Sequence, residues 1–163
     1  MIERPAIMEQ ISFGRNFSEK MMSRFISMGE PKTVAGNYCL FREGEYHKCV
    51  YLIVKGNVLL DTYVQGRKYI ELLTLSDGEF LGCSPMISTR PMSLRATTLT
   101  ETQLIVFQAD ELKNYCEIDH DFGYQFMKEI ACIFARRLMA TRLQLLDLFF
   151  SPSVDQAEKS KAI

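Results

Sequence analysis

The chain has 163 residues, of which 47% are hydrophobic and 24% are charged, so it is long and apolar enough for one domain with an ordinary core. Its 19 basic and 20 acidic residues leave a net charge of −1, which argues against the overall positive field of a nucleic-acid-binding domain. The sequence contains no run of about 18 apolar residues and no basic-then-apolar secretory signal, so we expect a cytoplasmic protein without membrane association.

The first predicted element is a helix over residues 17–29. Ser18 is a candidate N-cap, apolar residues follow at helical spacing, and Gly29 ends the pattern. From Pro31 to Phe107, short apolar segments alternate with glycine turns about every 8 to 12 residues, which is typical of an all-β sandwich or barrel. The predicted turns are at Gly36-Asn37, Gly44, Lys55-Gly56-Asn57, Gln65-Gly66-Arg67, Asp77-Gly78 and Gly82.

The clearest predicted hairpin joins residues 49–54 to residues 58–64, because β-branched and aromatic residues flank the turn between them. Further strands are predicted over residues 68–75, 94–99 and 102–107. The pattern therefore predicts a mainly β fold with flanking α-helices, namely a jelly-roll (double-stranded β-helix) barrel followed by a long C-terminal helix.

One loop between predicted strands has the composition of a small anion-binding site. Gly78 and Gly82 allow backbone angles and close approaches that a side chain would block, and Ser84 followed by Pro85 is a good N-cap and first-turn pair for a short helix. A phosphate at this helix N-terminus would accept backbone hydrogen bonds and pair with the guanidinium of Arg90. The alternative is a tight strand connection with a surface arginine.

After Asp110, a candidate N-cap, the pattern becomes helical and stays so to about Phe150. The segment from Asp121 to about Phe150 contains no proline and predicts a helix of about 30 residues, or about 45 Å. Such a helix extends beyond a small domain, and residues 143–150 are strongly apolar. We therefore expect a homodimer through this helix, the alternative being a helix that folds back on the barrel.

We interpret residues 1–150 as one domain, which includes the N-terminal helix and the long C-terminal helix. Residues 151–163 are small, polar and charged, which indicates a disordered tail. Three arginines on the long helix are interpreted as solvated flanks of an interface rather than as a DNA-reading surface: Arg136, Arg137 and Arg142.

The cysteines and histidines show no metal-binding pattern. The five cysteines are scattered without a C-x-x-C spacing, and the two histidines belong to no ligand motif. The residues in question are Cys39, Cys49, Cys83, Cys116, Cys132, His47 and His120. We expect reduced cysteines and no protein metal site, whereas a haem held by a single Cys or His stays open, because axial ligation needs only isolated residues.

Four short motifs follow one another in an order that one known family shares: FREGE at 41–45, VYLIVKGNV at 50–58, GEFLG at 78–82 and SLRAT at 93–97. The segment from Asp121 into the long helix completes the series. Together with the order of predicted elements, these motifs resemble the cyclic nucleotide-binding domain of the CRP/FNR-like regulators. The resemblance implies the jelly-roll fold and a phosphate-binding loop that begins at Gly82.

The phosphate loop departs from the family pattern at Cys83, in a shorter than usual segment between Gly82 and Arg90, and at Pro91 and Met92, which replace the small polar and alanine residues that commonly follow the arginine. The family's loop begins with Gly-Glu, whose carboxylate accepts a hydrogen bond from the ribose 2′-hydroxyl, and it ends with an arginine that pairs with the cyclic phosphate. Gly82 is kept, and Arg90 has the arginine's place when counted back from Arg95, but Cys83 stands where the glutamate belongs. Because a thiol is a poor acceptor, a site that depends on this bond loses about 1–3 kcal/mol, or about tenfold to more than a hundredfold in affinity.

The resemblance implies a ligand-sensing regulatory module rather than an enzyme, with cAMP or cGMP as a candidate ligand. It places Gly82, Cys83, Ser84 and Arg90 at the anion end of the site, and Leu72, Phe80 and Thr97 around the base. The short polar tail leaves no room for the family's helix-turn-helix, so we expect a stand-alone sensor without a DNA-binding domain.

Other functions stay open at this point. A non-binding dimerisation or scaffold module with a degenerated pocket is the main alternative. An enzyme on a cupin-like barrel would need histidine clusters that the sequence lacks, and a haem or redox sensor would use Cys83 or His47.

Overall fold

Eight strands and four helices follow one another in the residues that the computed structural model describes, 12–66 and 68–150. They are α1 (Glu19–Ser27), β1 (Glu30–Val34), β2 (Cys39–Phe41), β3 (Cys49–Lys55), β4 (Val58–Tyr63), β5 (Tyr69–Leu75), β6 (Phe80–Leu81), α2 (Ser84–Ile87), β7 (Arg95–Thr98), β8 (Thr102–Gln108), α3 (Ala109–Ile118) and α4 (His120–Phe150). The chain divides into two compact units, the first ending at Ile130 and the second beginning at Ala131.

The strands form two four-stranded antiparallel sheets, with the orders β1-β8-β3-β6 and β2-β7-β4-β5. The chain passes repeatedly from one sheet to the other, and side chains from both sheets meet in one core, which is the jelly-roll arrangement. The predicted fold class is therefore confirmed, with two separate sheets in place of a closed barrel. The shared core contains Val34, Leu40, Phe41, Tyr51, Ile53, Val58, Leu60, Leu75, Leu81, Met92, Ala96 and Leu104.

The predicted hairpin between β3 and β4 is wrong, although both strands exist. Strand β3 pairs with β8 and β6, whereas β4 pairs with β7 and β5. Gly56, at φ +120°, carries the chain across from one sheet to the other, so that Ile53 and Val58 enter the same core from opposite sides. The observed hairpin is β4–β5, whose register runs from Val58↔Leu75 to Tyr63↔Tyr69.

A second apolar layer, made largely of phenylalanine rings, joins α1, β6, β8 and the first turns of α4. Phe25 stacks on Phe107 and Phe13 stacks on Phe80, each with ring centroids 4.4 Å apart. Phe122 and Phe126 of α4 complete the layer and are fully buried. This layer packs the helices of the first unit against the β structure.

The helix boundaries follow the sequence closely. Ser18 caps α1, with its Oγ accepting a hydrogen bond from the Met21 N–H at 3.2 Å, as predicted. Asp110 is not the N-cap of α3: the helix begins at Ala109, and the Asp110 carboxylate instead pairs with Lys113 at 3.1 Å. The predicted long helix is present as α4, and the predicted tail, residues 151–163, lies outside the described residues.

Candidate functional site

Gly82 begins the predicted anion loop in a backbone conformation that side chains rarely adopt. Its φ is +77°, and a Cβ at this position would lie 3.2 Å from the Cys49 carbonyl oxygen and 3.4 Å from the ring of Tyr51. Both the positive φ and the close approach favour glycine. The prediction that Gly82 serves a tight turn is confirmed.

The short helix predicted after Gly82 is α2, and it begins one residue earlier than expected. Cys83, not Ser84, is the N-cap, and Ser84 is the first helical residue, with Pro85 in the first turn. The Met86 N–H donates to the Cys83 carbonyl at 3.0 Å and thereby closes the turn over Ser84 and Pro85. At this position the N–H of Ser84 has no acceptor within the helix, which leaves it available for a ligand.

The two charged or reactive residues predicted at this loop differ in exposure. Cys83 is only 4% exposed, so its side chain belongs to the interior. Arg90 is exposed; its backbone N–H donates to Ser88 Oγ at 3.4 Å, and its guanidinium forms no ion pair within the described part of the chain. Arg90 is therefore the cation of this loop that is available to an anion.

The three residues predicted around a base lie in different surroundings. Phe80 belongs to the phenylalanine layer, whereas its neighbour Leu81 enters the core between the sheets. Because successive strand residues alternate in direction, Phe80 faces the helices. Leu72 is half-buried at the bulge of β5, and Thr97 is half-buried on β7. Gly82, Cys83 and Ser84 follow one another in the loop, and Leu72 and Thr97 lie on strands of the sheet that does not contain β6, so their place around a base stays a prediction.

A hydrogen-bonded group around His47 was not predicted from the sequence. His47 Nε2 lies 2.8 Å from Tyr51 Oη, and His47 Nδ1 lies 3.3 Å from Glu45 Oε1. The imidazole also packs on the rings of Phe41 and Tyr51, with centroids 5.3 and 5.6 Å away. Burial lowers the pKa of His47, and the Glu45 carboxylate opposes that shift. The group lies in an irregular loop, so no periodic pattern marks it.

An ion pair between the buried Asp61 of β4 and the partly exposed Arg95 of β7 was also missed by the sequence reasoning. Arg95 donates from Nε and Nη2 to the Asp61 carboxylate at 2.9 and 2.6 Å, and its guanidinium lies 3.5 Å from the ring centroid of Tyr69. The hydrogen bonds to Asp61 are the main cause that raises the pKa of Arg95. Since Arg95 is committed to Asp61, it does not compete with Arg90 for an anion.

In residues 12–66 and 68–150, the His, Cys, Asp and Glu side chains form no cluster of three that is suited to a metal ion. None of the helices within these ranges is long and apolar enough to cross a bilayer.

Residues 31–119 match the sequence profile of the cyclic nucleotide-binding domain. The CRP-like cAMP-activated global transcriptional regulator of Mycobacterium tuberculosis is 24% identical to the chain over 122 residues, which are 75% of the chain and 53% of the regulator. The chain thus spans about half the length of the curated relatives that it matches.

Solved structures share the fold at low identity. The catabolite activator protein of Thermus thermophilus superposes with a TM-score of 0.71 at 20% identity, over 84% of this chain and 62% of that one. The c-di-GMP-responsive regulator CLP of Xanthomonas campestris gives 0.76 at 16% identity, over 88% and 70%. A cyclic nucleotide-binding domain from Methylobacillus flagellatus gives 0.76 at 18% identity, over 87% and 79%.

Proposed function

The chain belongs to the cyclic nucleotide-binding domain family, and we propose that it is a ligand-sensing regulatory module that binds a small organic phosphate at the loop from Gly82 to Arg90. One observation carries this proposal. Gly82 holds a turn that leads directly into a helix N-terminus, and the exposed guanidinium of Arg90 follows on the same loop without an ion pair among the described residues. Backbone N–H groups and an arginine are the combination that phosphate recognition favours.

A cyclic nucleotide is the first candidate ligand. One relative is named as cAMP-activated and another as c-di-GMP-responsive, so the ligand differs between proteins with this fold. In this chain, the buried thiol of Cys83 occupies the place where the resemblance expects a ribose-binding carboxylate. We therefore infer that recognition depends on the phosphate more than on the ribose.

The sensing mechanism would be a shift between conformations that are already populated. A phosphate bound by Ser84 N–H and Arg90 would draw the exposed end of the loop towards α2 and favour the conformation in which these groups converge. The loop is tied by backbone hydrogen bonds at Met92 to Gly44 and Glu45, so its movement would be transmitted to the segment between β2 and β3.

Calorimetry against cAMP, cGMP and c-di-GMP tests the proposal. We expect at least one of them to bind, and Arg90→Ala to weaken that binding about tenfold to a hundredfold, since a charge-assisted hydrogen bond contributes about 1.5–3 kcal/mol. Arg15→Ala, which removes another exposed arginine, is the matched control and should leave the affinity unchanged. If none of the three nucleotides binds to the unmodified protein, the proposal fails.

A second candidate function, dimerisation, is favoured by the surface of α4. Over residues 131–146, whose side chains the structure describes, this helix exposes six large apolar side chains by between 42% and 72%: Phe134, Leu138, Met139, Leu143, Leu145 and Leu146. At 100° per residue they fall into two rows along the helix, Phe134, Leu138 and Leu145 in one and Met139, Leu143 and Leu146 in the other. An exposed apolar stripe of this kind marks an interaction surface, and we propose that a second copy of the chain covers it.

A further inference from the structure

The His47 group lies next to the start of the proposed anion loop. The rings of Phe41 and Tyr51, on which His47 packs, are the same rings that lie closest to Gly82. A Cβ on Gly82 would lie 3.4 Å from Tyr51 and 3.5 Å from Phe41. The two rings therefore fill the space beside Gly82 that a side chain would occupy, and a displacement of the Tyr51 ring would change the packing at Gly82.

The same group is also tied to the other end of the loop. The Met92 N–H donates to the Glu45 carbonyl at 2.9 Å, and the Gly44 N–H donates to the Met92 carbonyl at 2.8 Å. Met92 is two residues from Arg90. The segment that carries Glu45 and His47 thus borders the anion loop at both of its ends.

The hydrogen bonds around His47 can accommodate either charge state. In the neutral ring with its proton on Nδ1, His47 donates to Glu45 and accepts from the Tyr51 hydroxyl. When Nε2 is also protonated, it must donate to Tyr51 Oη, and the hydroxyl then turns its proton to the Leu40 carbonyl, 3.5 Å away. Protonation thus reverses one hydrogen bond and lets the Tyr51 hydroxyl close on Leu40, without leaving a polar group unpaired.

We propose that His47 is a positioning residue that makes anion binding at the Gly82–Arg90 loop proton-dependent, with the imidazolium favouring the bound state. This inference rests on the proposed function and names a regulation of that same site. The imidazolium would add a positive charge behind the loop and pull on the ring of Tyr51 that supports Gly82. A phosphodiester keeps one negative charge between pH 5 and 8, so a pH dependence of its affinity in this range must come from the protein. By linkage, the bound anion would in turn favour protonated His47.

The other titratable groups around His47 do not mimic this behaviour. Tyr51 stays protonated across this range, because burial, followed by the charges of Cys49, Tyr38, Glu45 and Cys39, raises its pKa. Within the cluster, the imidazole is the group whose ordinary pKa falls between pH 5 and 8.

Two measurements on the full chain test the proposal. The first is an NMR titration of the histidine ring signals and the Gly82 amide between pH 5 and 8, with His47→Gln and His120→Gln to assign the two histidines. We expect the Gly82 amide to follow the titration of His47, to lose this response in His47→Gln and to keep it in His120→Gln. Glu45→Gln should move both midpoints to lower pH, because the carboxylate favours the imidazolium.

The second measurement is the affinity for cAMP at pH 5.5 and pH 8. We expect binding to be about three- to tenfold tighter at pH 5.5, and His47→Gln to remove the difference. Binding of cAMP with the same affinity at both pH values would overturn this inference while leaving the proposed function intact. A Gly82 amide that ignores the titration of His47 would also overturn it. If cAMP does not bind at all but the Gly82 amide follows His47, the proton-dependent loop is supported and cAMP is excluded as its ligand.

Discussion

Arg95 covers the carboxylate of Asp61, which is only 2% exposed, and holds it through two hydrogen bonds of 2.9 and 2.6 Å. The two residues face each other across β4 and β7, and Arg95 also packs on Tyr69 of β5. The pair therefore ties the β4–β5 hairpin to the strand that leaves the anion loop. Two parallel hydrogen bonds and a stacked ring fix the orientation of Arg95.

Arg95→Ala is expected to destabilise the protein by about 1–3 kcal/mol, because Asp61 loses both hydrogen bonds from the guanidinium and water reaches its carboxylate only through the gap left by the side chain. Chemical denaturation measures the change. Lys113→Ala is the control: it breaks the exposed pair with Asp110 and should cost less than about 1 kcal/mol. Equal losses for the two variants would show that the Asp61–Arg95 pair contributes no more than a surface ion pair.

Gly82→Ala is expected to cost about 2–3 kcal/mol of stability and to abolish ligand binding, since the new methyl group meets the Cys49 carbonyl at a strained φ. Gly66→Ala separates these two causes. Gly66 has almost the same φ, +78°, but a Cβ there would meet nothing within 4 Å, so we expect a loss of only about 1 kcal/mol. A loss in Gly82→Ala no larger than in Gly66→Ala would mean that the contact with Cys49 has no energetic role.

The strands could be predicted from the sequence, but their pairing could not. Alternation of apolar residues and the glycine turns locate β3 and β4 to within a residue or two. Their partners are decided by the two-sheet core, which takes Ile53 from one side and Val58 from the other. Nothing in the sequence around Gly56 distinguishes a turn that joins paired strands from a turn that crosses between sheets.

In the candidate site, too, local structure could be predicted from the sequence, whereas contacts between separate segments could not. The turn at Gly82 could be predicted from the local sequence, because a glycine shortly before a Ser-Pro pair is typical of a turn that leads into a helix. The contacts of His47 and of Arg95 depend on residues that are distant in sequence or in irregular loops, so they required the structure. For Phe80, the sequence predicts that the side chain is buried, but it does not show which side of β6 faces the helices and which faces the core between the sheets.

Acidification is expected to destabilise the protein through His47. Burial lowers the pKa of His47 in the folded protein, so the unfolded chain binds the proton more tightly. Stability is therefore full above about pH 6.5, the ordinary value, and is lost as the pH falls from there through the lowered folded pKa. Thermal unfolding at pH 8 and pH 5.5 should show a smaller difference in Tm for His47→Gln than for the unmodified protein. An equal difference in both would show that His47 does not contribute.

Cys83→Glu is expected to tighten binding of cAMP about tenfold or more, because it supplies the carboxylate that the resemblance expects for the ribose hydroxyl. Without ligand the variant should be less stable, since position 83 is only 4% exposed and an unpaired carboxylate there is poorly solvated. Cys83→Ser provides a side chain of similar size without charge and should bind as weakly as the unmodified protein. Calorimetry that finds no gain for Cys83→Glu would show that this position does not face the ribose.

Leu138→Glu is expected to shift the protein from dimer to monomer, because it places a charge in the apolar stripe of α4 at a residue that is 72% exposed. Burying that carboxylate between two helices has no compensating partner, so the dimer dissociation constant should rise by at least a hundredfold, or about 3 kcal/mol. Tyr46→Glu is the matched control, since Tyr46 is 75% exposed but lies in a loop of the first unit. Sedimentation velocity distinguishes the two. A monomeric unmodified protein would contradict the proposed interface, whereas a dimer that both variants preserve would place the interface away from Leu138.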